Sequence, residues 1–245
     1  MKQFSIATTA STIALLTASP SLAQNEVQVL TDWRYDALYA QGWSVENMFD
    51  LTAIIDASGE DIGDVENVIF SNDGQVLGII AEVGGFLDIG DTHIHVPWDA
   101  VTIVDGIAQI QVPVTEENVN DYDIFGTYLD EETITEADTS SVAVVDDNLV
   151  AGVNVFKATD LIGDYVYLSD GSRYGYVADL IVNDGKISAI ISDSTSYGRP
   201  GYYAYPYSDR NLRTGAASRY DMEYSATEID TIESFDYNEL QSRVQ

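Results

Sequence analysis

The chain has no cysteine. That excludes disulfides, Cys-based metal centres, a Cys nucleophile and a lipid-modified start after a leader, so stability must come from buried core. Histidine is almost as scarce: His93 and His95 are the two present. A catalytic serine elsewhere would find no histidine outside that one stretch, and no G-x-S-x-G run occurs. No glycine-rich phosphate loop opens a helix either, since Gly63 and Gly84-Gly85 belong to strand turns. Cations are few, with 10 Lys plus Arg against 41 Asp plus Glu and a formal net charge of −31. None of them lies between Arg34 and Lys157. A field of that sign repels nucleic acid and anionic lipid and attracts cations or basic protein surfaces. Its bland reading is a solubilising surface.

Long apolar runs are missing beyond the first residues. Lys2, the apolar stretch Ile6 to Leu16 and Ser21-Leu22-Ala23 form a positive start, a hydrophobic centre and a small-x-small cleavage site, so residues 1–23 read as a secretory signal peptide cut after Ala23. At about a dozen residues the run is short of the roughly 20 a membrane span needs. The expectation is an exported, soluble protein of the periplasm or exterior, with no membrane span.

After a lead over residues 24–42, Ser44 is placed to cap a short helix through Met48 and Phe49, with Glu46 in its first turn. That helix is expected to cover one end of the unit that follows. Ile62 to Phe70 and Val76 to Val83 are strands about the turn Asn72-Asp73-Gly74, because Asp-Gly between apolar runs tolerates positive φ. Gly84-Gly85 frees the backbone for a bend, and Thr92 to Val96 is a further strand, ended by Pro97. Ala100 to Val104 and Ile107 to Val112 pair around Asp105-Gly106. So many short strands in so few residues hide their edges most economically in a small closed barrel. Residues 113–155, with a short helix from Glu116 and the aperiodic acidic run Asp130 to Ser141, read as a solvated linker.

A second copy follows. Gly59 falls on Gly171, Ile62-Gly63 on Tyr174-Gly175, Val65 on Val177, Asn72-Asp73-Gly74 on Asn183-Asp184-Gly185 after a one-residue deletion, and Ile79-Ile80 on Ile190-Ile191. Turn glycines and apolar strand positions in one order indicate an internal duplication. Residues 208–245 form a tail in which Ser225-Ala226-Thr227-Glu228 is a capping box for a short helix through Ile232.

Taken together, Ile62-Gly63-Asp64-Val65, Val83-Gly84-Gly85-Phe86-Leu87, Ile89-Gly90 and Val96-Pro97-Trp98 resemble the PRC-barrel domain. The resemblance covers residues 43–112 and, more weakly, 156–207. It implies a mainly β chain with two small PRC-type β-barrels in tandem and short flanking helices. It also implies a noncatalytic binding or assembly module without a cofactor, and no catalytic residues carry over. The second copy departs from the pattern: Tyr205-Pro206-Tyr207 takes the place of Val96-Pro97-Trp98, and the preceding corner is rich in Tyr and Arg.

Two constellations are singled out. On a strand His93 and His95 point to one face, where with nearby carboxylates such as Asp88 and Asp91 they form a candidate metal site. The competing reading puts Ile94 and Val96 in the core and the histidines on the polar face. Tyr197, Arg199, Tyr202, Tyr203, Tyr205 and Tyr207 form a candidate partner-binding surface, with an intramolecular or homodimer contact as the alternative. The leading expectation is therefore an exported, noncatalytic adaptor for an unidentified protein partner, which the acidic balance favours as basic. The alternative is an acidic cation- or metal-binding protein of the same compartment.

Overall fold

The computed structural model describes residues 27–84, 92–105, 108–115, 118, 133–145, 149–214 and 218–241. The expected signal peptide, the Gly85 to Asp91 corner and the helix from Glu116 lie outside them. In chain order the first half runs through α1 (Asp36–Gln41), β1 (Trp43–Ser44), α2 (Val45–Leu51), β2 (Ala53–Ile55), β3 (Asp61–Ser71), β4 (Val76–Val83), β5 (Thr92–Pro97), β6 (Thr102–Asp105) and β7 (Gln109–Gln111). Between the halves come β8 (Thr133–Ile134), β9 (Ala143–Val144) and β10 (Val150–Ala151). The second half holds β11 (Val155–Lys157), β12 (Tyr165–Tyr167), β13 (Arg173–Asn183), β14 (Lys186–Asp193), β15 (Tyr202–Pro206), β16 (Leu212–Arg213) and β17 (Arg219–Asp221). The tail adds α3 (Ala226–Ile229) and α4 (Tyr237–Gln241).

The duplication is explicit in the topology. One sheet runs β6-β7-β2-β3-β4-β5-β9 and the other β16-β17-β12-β13-β14-β15. Both central hairpins are bulged at matching places, between Val65 and Asn67 and between Val177 and Asp179. Register settles the divergent corner as well. Val96 and Pro97 lie opposite Ile79 and Gly78, while Tyr205 and Pro206 lie opposite Ile190 and Ala189. In the second hairpin Asp184 and Gly185 both take positive φ, as the tight turn requires.

The two halves are not separate bodies. Each long central strand gives one edge to its hairpin partner and divides the other between the preceding strand of its own sheet, β2 or β12, and the opposite lead-in. Trp43 and Ser44 of β1 pair with Val182 and Ile181 of the second sheet. Phe156 and Lys157 of β11 pair with Phe70 and Ile69 of the first. Thus α2, expected to cap the first barrel, starts on the second sheet, because backbone groups on that half-edge of β13 need partners. The hairpin tips also meet reciprocally: Val76 N donates to Gly185 O and Ile187 N to Gly74 O, both at 2.8 Å. Trp98 stacks on Trp43 with centroids 5.7 Å apart, and the equivalent Tyr207 donates its hydroxyl hydrogen to Asn72 O. One apolar cluster passes through both halves, from Val45, Met48, Val68 and Phe70 to Phe156, Leu180, Val182 and Tyr205.

The solvated linker is corrected in part. Parallel β8 and β10 pair, and β9 extends the first sheet beside β5. Ile134, Val145 and Leu149 bury Ile69 and Ile80 on the outer face of that sheet. The polar composition masked a few well-spaced apolar residues, which suffice to bind a segment to a sheet face that would otherwise expose isoleucines.

Candidate functional site

The histidines do not share a polar surface. His93 is partly buried and its Nε2 lies 3.2 Å from Glu66 Oε2. His95 is fully buried under the intervening segment, its Nδ1 3.2 Å from Ser141 O and its Nε2 packed against Gly78. Burial pushes its pKa down and favours the neutral ring. The expectation of two histidines on one polar face fails because residues 141–145 cover that face. Among the described residues no group of three or more His, Asp or Glu side chains is arranged to hold a metal ion; Asp88 and Asp91 lie outside them.

The six aromatic and arginine candidates separate into three groups. Arg199 reaches inward: its guanidinium donates to Tyr174 Oη at 2.8 Å, Tyr205 Oη at 3.1 Å and Ile232 O at 3.0 Å, and lies 3.8 Å from the Tyr203 ring centroid. Tyr203 and Tyr205 are buried with it. These three hold the tail onto the second sheet, an intramolecular role. Tyr207 belongs to the contact between the halves. Only Tyr197 and Tyr202 of the six present substantial surface, at 37% and 41% exposure.

Those two mark the ends of a larger surface. Residues opposite each other in a ladder share a face, and register places Tyr202, Asp193, Tyr176, Tyr165 and Arg219 in one row across five strands of the second sheet. Arg213 extends the row opposite Arg219. Tyr176 and Tyr165 lie 4.9 Å apart between centroids, and Tyr176 is 6.0 Å from Tyr197. Hydrogen bonding with Tyr197 and then with Tyr165 holds the Tyr176 proton and pushes its pKa up to about 12. Arg173 lies 3.9 Å from the Tyr165 ring centroid and donates from Nε to Tyr167 Oη at 3.1 Å. Asp221 neutralises the far end, accepting from Arg219 and pairing with Arg213.

The same construction in the first sheet gives the row His93, Glu82, Asp64, Ala53 and Gln109. Position for position, Tyr202 replaces His93, Asp193 replaces Glu82, Tyr176 replaces Asp64, Tyr165 replaces Ala53 and Arg219 replaces Gln109. Equivalent outer faces thus carry unlike chemistry: beside a carboxylate common to both, Glu82 or Asp193, one adds a second carboxylate, Asp64, and the other adds tyrosines and arginine.

A family model for the PRC-barrel domain matches residues 52–117 and 153–219. The chain belongs to the PRC-barrel family. It is a mainly β protein with two such domains in tandem, and PRC-barrel domains are generally noncatalytic. No curated protein matches it significantly. Sequence reasoning placed the Tyr- and Arg-rich surface at 197–207 and missed Tyr165, Tyr167, Arg173 and Tyr176, which form its centre in the second PRC-barrel. The available signal was tyrosine at i and i+2 around inward Val166, followed by outward Tyr176 beside inward Val177.

Proposed function

We propose that this protein is an exported, noncatalytic binding module of the periplasm that acts as an adaptor between protein partners. The carrying observation is the pair of equivalent rows with unlike chemistry on two barrels joined by exchanged lead-ins. A shared core holds both faces in fixed relation, which suits a part that brings two partners together. The first-barrel row, with Asp64 exposed beside Glu82, suits a basic partner surface. Affinity capture from envelope extracts at physiological salt, with wild type and D64N/E82Q in parallel, tests this. Recovery of a partner by wild type and its loss with D64N/E82Q is the expected result. No partner in repeated captures, together with measurable turnover in a substrate screen, refutes the reading.

The His93–Glu66 pair supports cation binding at the same row as a second reading. Calorimetry with calcium, zinc and copper decides it: heat that disappears in H93A supports a site, and heat equal to buffer removes it.

A further inference from the structure

We propose that the outer face of the second barrel, centred on Arg173, Tyr165 and Tyr176, is a docking surface for an acidic polypeptide segment. The inference rests on the binding-module reading and supplies the partner chemistry for the second face. Packing does not explain the residues there. The first barrel builds the same row on the same strands from Ala53, Asp64 and Gln109, so the fold has no need of Tyr165, Tyr176 and Arg219 at those places.

Charge points the same way. On a chain of net charge −31, Arg173, Arg213 and Arg219 are exposed on one face, and Asp221 is the carboxylate paired with the latter two. Among the described residues no carboxylate pairs with Arg173. Its side chain is nonetheless held, stacked on Tyr165 and tethered through Nε to Tyr167. The two terminal nitrogens are left for a carboxylate, to which a guanidinium fork binds with two parallel hydrogen bonds. Because the fork is already oriented, less side-chain entropy is lost on binding. Around it the half-exposed rings of Tyr165, Tyr176 and Tyr197 offer flat amphipathic contact area, and Tyr and Arg are the residue types that concentrate interface energy.

Adjacent strands lie about 4.8 Å apart, so the row from Tyr202 to Arg213 is about 24 Å long, the span of roughly seven residues of extended chain crossing the sheet. A segment that alternates carboxylate and apolar side chains meets both components. A polypeptide fits this better than a polyanion of uniform charge, which gains little from the rings and meets the acidic remainder of the protein on either side.

The test uses the full chain and a labelled peptide of about twelve residues alternating glutamate and leucine, followed by fluorescence anisotropy. A matched lysine–leucine peptide probes the acidic first barrel, and alginate is the polyanion competitor. Wild type is expected to bind the glutamate peptide. Arg173→Ala and Tyr176→Ala should each weaken it at least tenfold, Arg173→Lys should not restore it, and Arg34→Ala, an exposed cation away from the row, should leave it as in wild type. Arg173 is on the surface, so a thermal melt equal to wild type shows that its variants fold. Absence of glutamate-peptide binding, or binding indifferent to Arg173→Ala, overturns the proposal. Alginate binding more tightly than the peptide, or self-association abolished by Arg173→Ala, overturns the assigned occupant. Retained lysine-peptide binding then leaves the adaptor's first face standing, whereas loss of both peptides removes the binding-module reading itself.

Discussion

Asp179 gives the sharpest test of how the two barrels are joined. It sits at the bulge of β13, fully buried. Its carboxylate accepts from Ser44 Oγ at 2.6 Å, Glu46 N at 3.0 Å and Leu180 N at 2.7 Å. It therefore fastens the start of α2, from the first lead-in, onto the second barrel. The donors favour the ionised form, but burial outweighs them and pushes the pKa up from 3.8 to about 7. A raised carboxyl pKa means that between those values the folded chain keeps a proton the unfolded chain has lost. Stability from this group is thus full below pH 4 and falls as pH rises through 7, by about 1.4 kcal/mol per unit and on the order of 4 kcal/mol in all. The first barrel shows what removes that dependence. Asn67 occupies the same bulge, accepts from Val68 N and Thr159 N, and donates to Thr159 Oγ1 at 2.8 Å. Asp179→Asn should therefore fold, with its amide donating to Ser44 Oγ. Urea unfolding of both proteins at pH 4 and pH 8 makes the comparison, because the other carboxylates cancel in the difference. At pH 4 the two should agree within about 1 kcal/mol. By pH 8 the variant should have gained on the order of 4 kcal/mol relative to wild type. A difference that does not change with pH refutes the argument.

Other consequences follow from the same contacts. Arg199→Ala should cost about 2–3 kcal/mol, through three hydrogen bonds and the Tyr203 contact, and should free residues 225–241 for hydrogen exchange. Arg199→Lys should rescue little, since one ammonium cannot span Tyr174, Tyr205 and Ile232 O, and full rescue refutes the packing role. Tyr207→Phe removes the bond to Asn72 O between the barrels and should lower stability by about 1 kcal/mol in thermal or urea unfolding. An unchanged midpoint would show that the bond contributes nothing net. At Gly175 an added Cβ would come within 2.5 Å of Asp193 O and Ser192 Oγ. Gly175→Ala should therefore cost about 1–3 kcal/mol, measured as a shift in urea midpoint, and a neutral substitution would show that β14 yields easily.

The sequence carried the repeat well because its signals are local. The Asp73-Gly74 and Asp184-Gly185 turns, the inward apolar runs and the Ser44 cap each depend on neighbouring residues, and each appears where it was placed, including Asn47 N donating to Ser44 Oγ; Gly106 of the third such turn lies outside the described residues. The Ser225–Glu228 capping box also forms, although α3 ends at Ile229 rather than continuing to Ile232. What could not be read was where partners come from. Nothing in Trp43-Ser44 says that its strand partner lies about 140 residues away on β13. Burial of His95 likewise depends on a polar segment folding back over β5. Composition found the Tyr- and Arg-rich stretch 197–207 but could not tell Arg199, which turns inward, from Arg173, which does not. Arg199 lies in the loop before β15 and is drawn inward by Tyr174, Tyr205 and Ile232 O, whereas the outward side of Arg173 emerges only once β12, β13 and β17 are side by side.

Tandem duplication supplies its own control. Positions that the fold requires have stayed alike in kind: the paired bulges, the hairpin tips that bond each other, and the aromatic residues Trp98 and Tyr207 that lie across the opposite tip. Exchange of lead-ins couples the copies further, since neither central strand has its edge filled without the other half of the chain. Under that constraint the outer rows are among the places where the copies are free to differ in charge. They differ there at four of the five positions, with Asp64 answering to Tyr176 and Gln109 to Arg219, while Glu82 and Asp193 keep a carboxylate in both rows. A duplication serving stability alone has no reason to place aromatic rings and arginines on one outer face and carboxylates on the other. The proposed adaptor, with two faces of unlike chemistry locked to a common core, does.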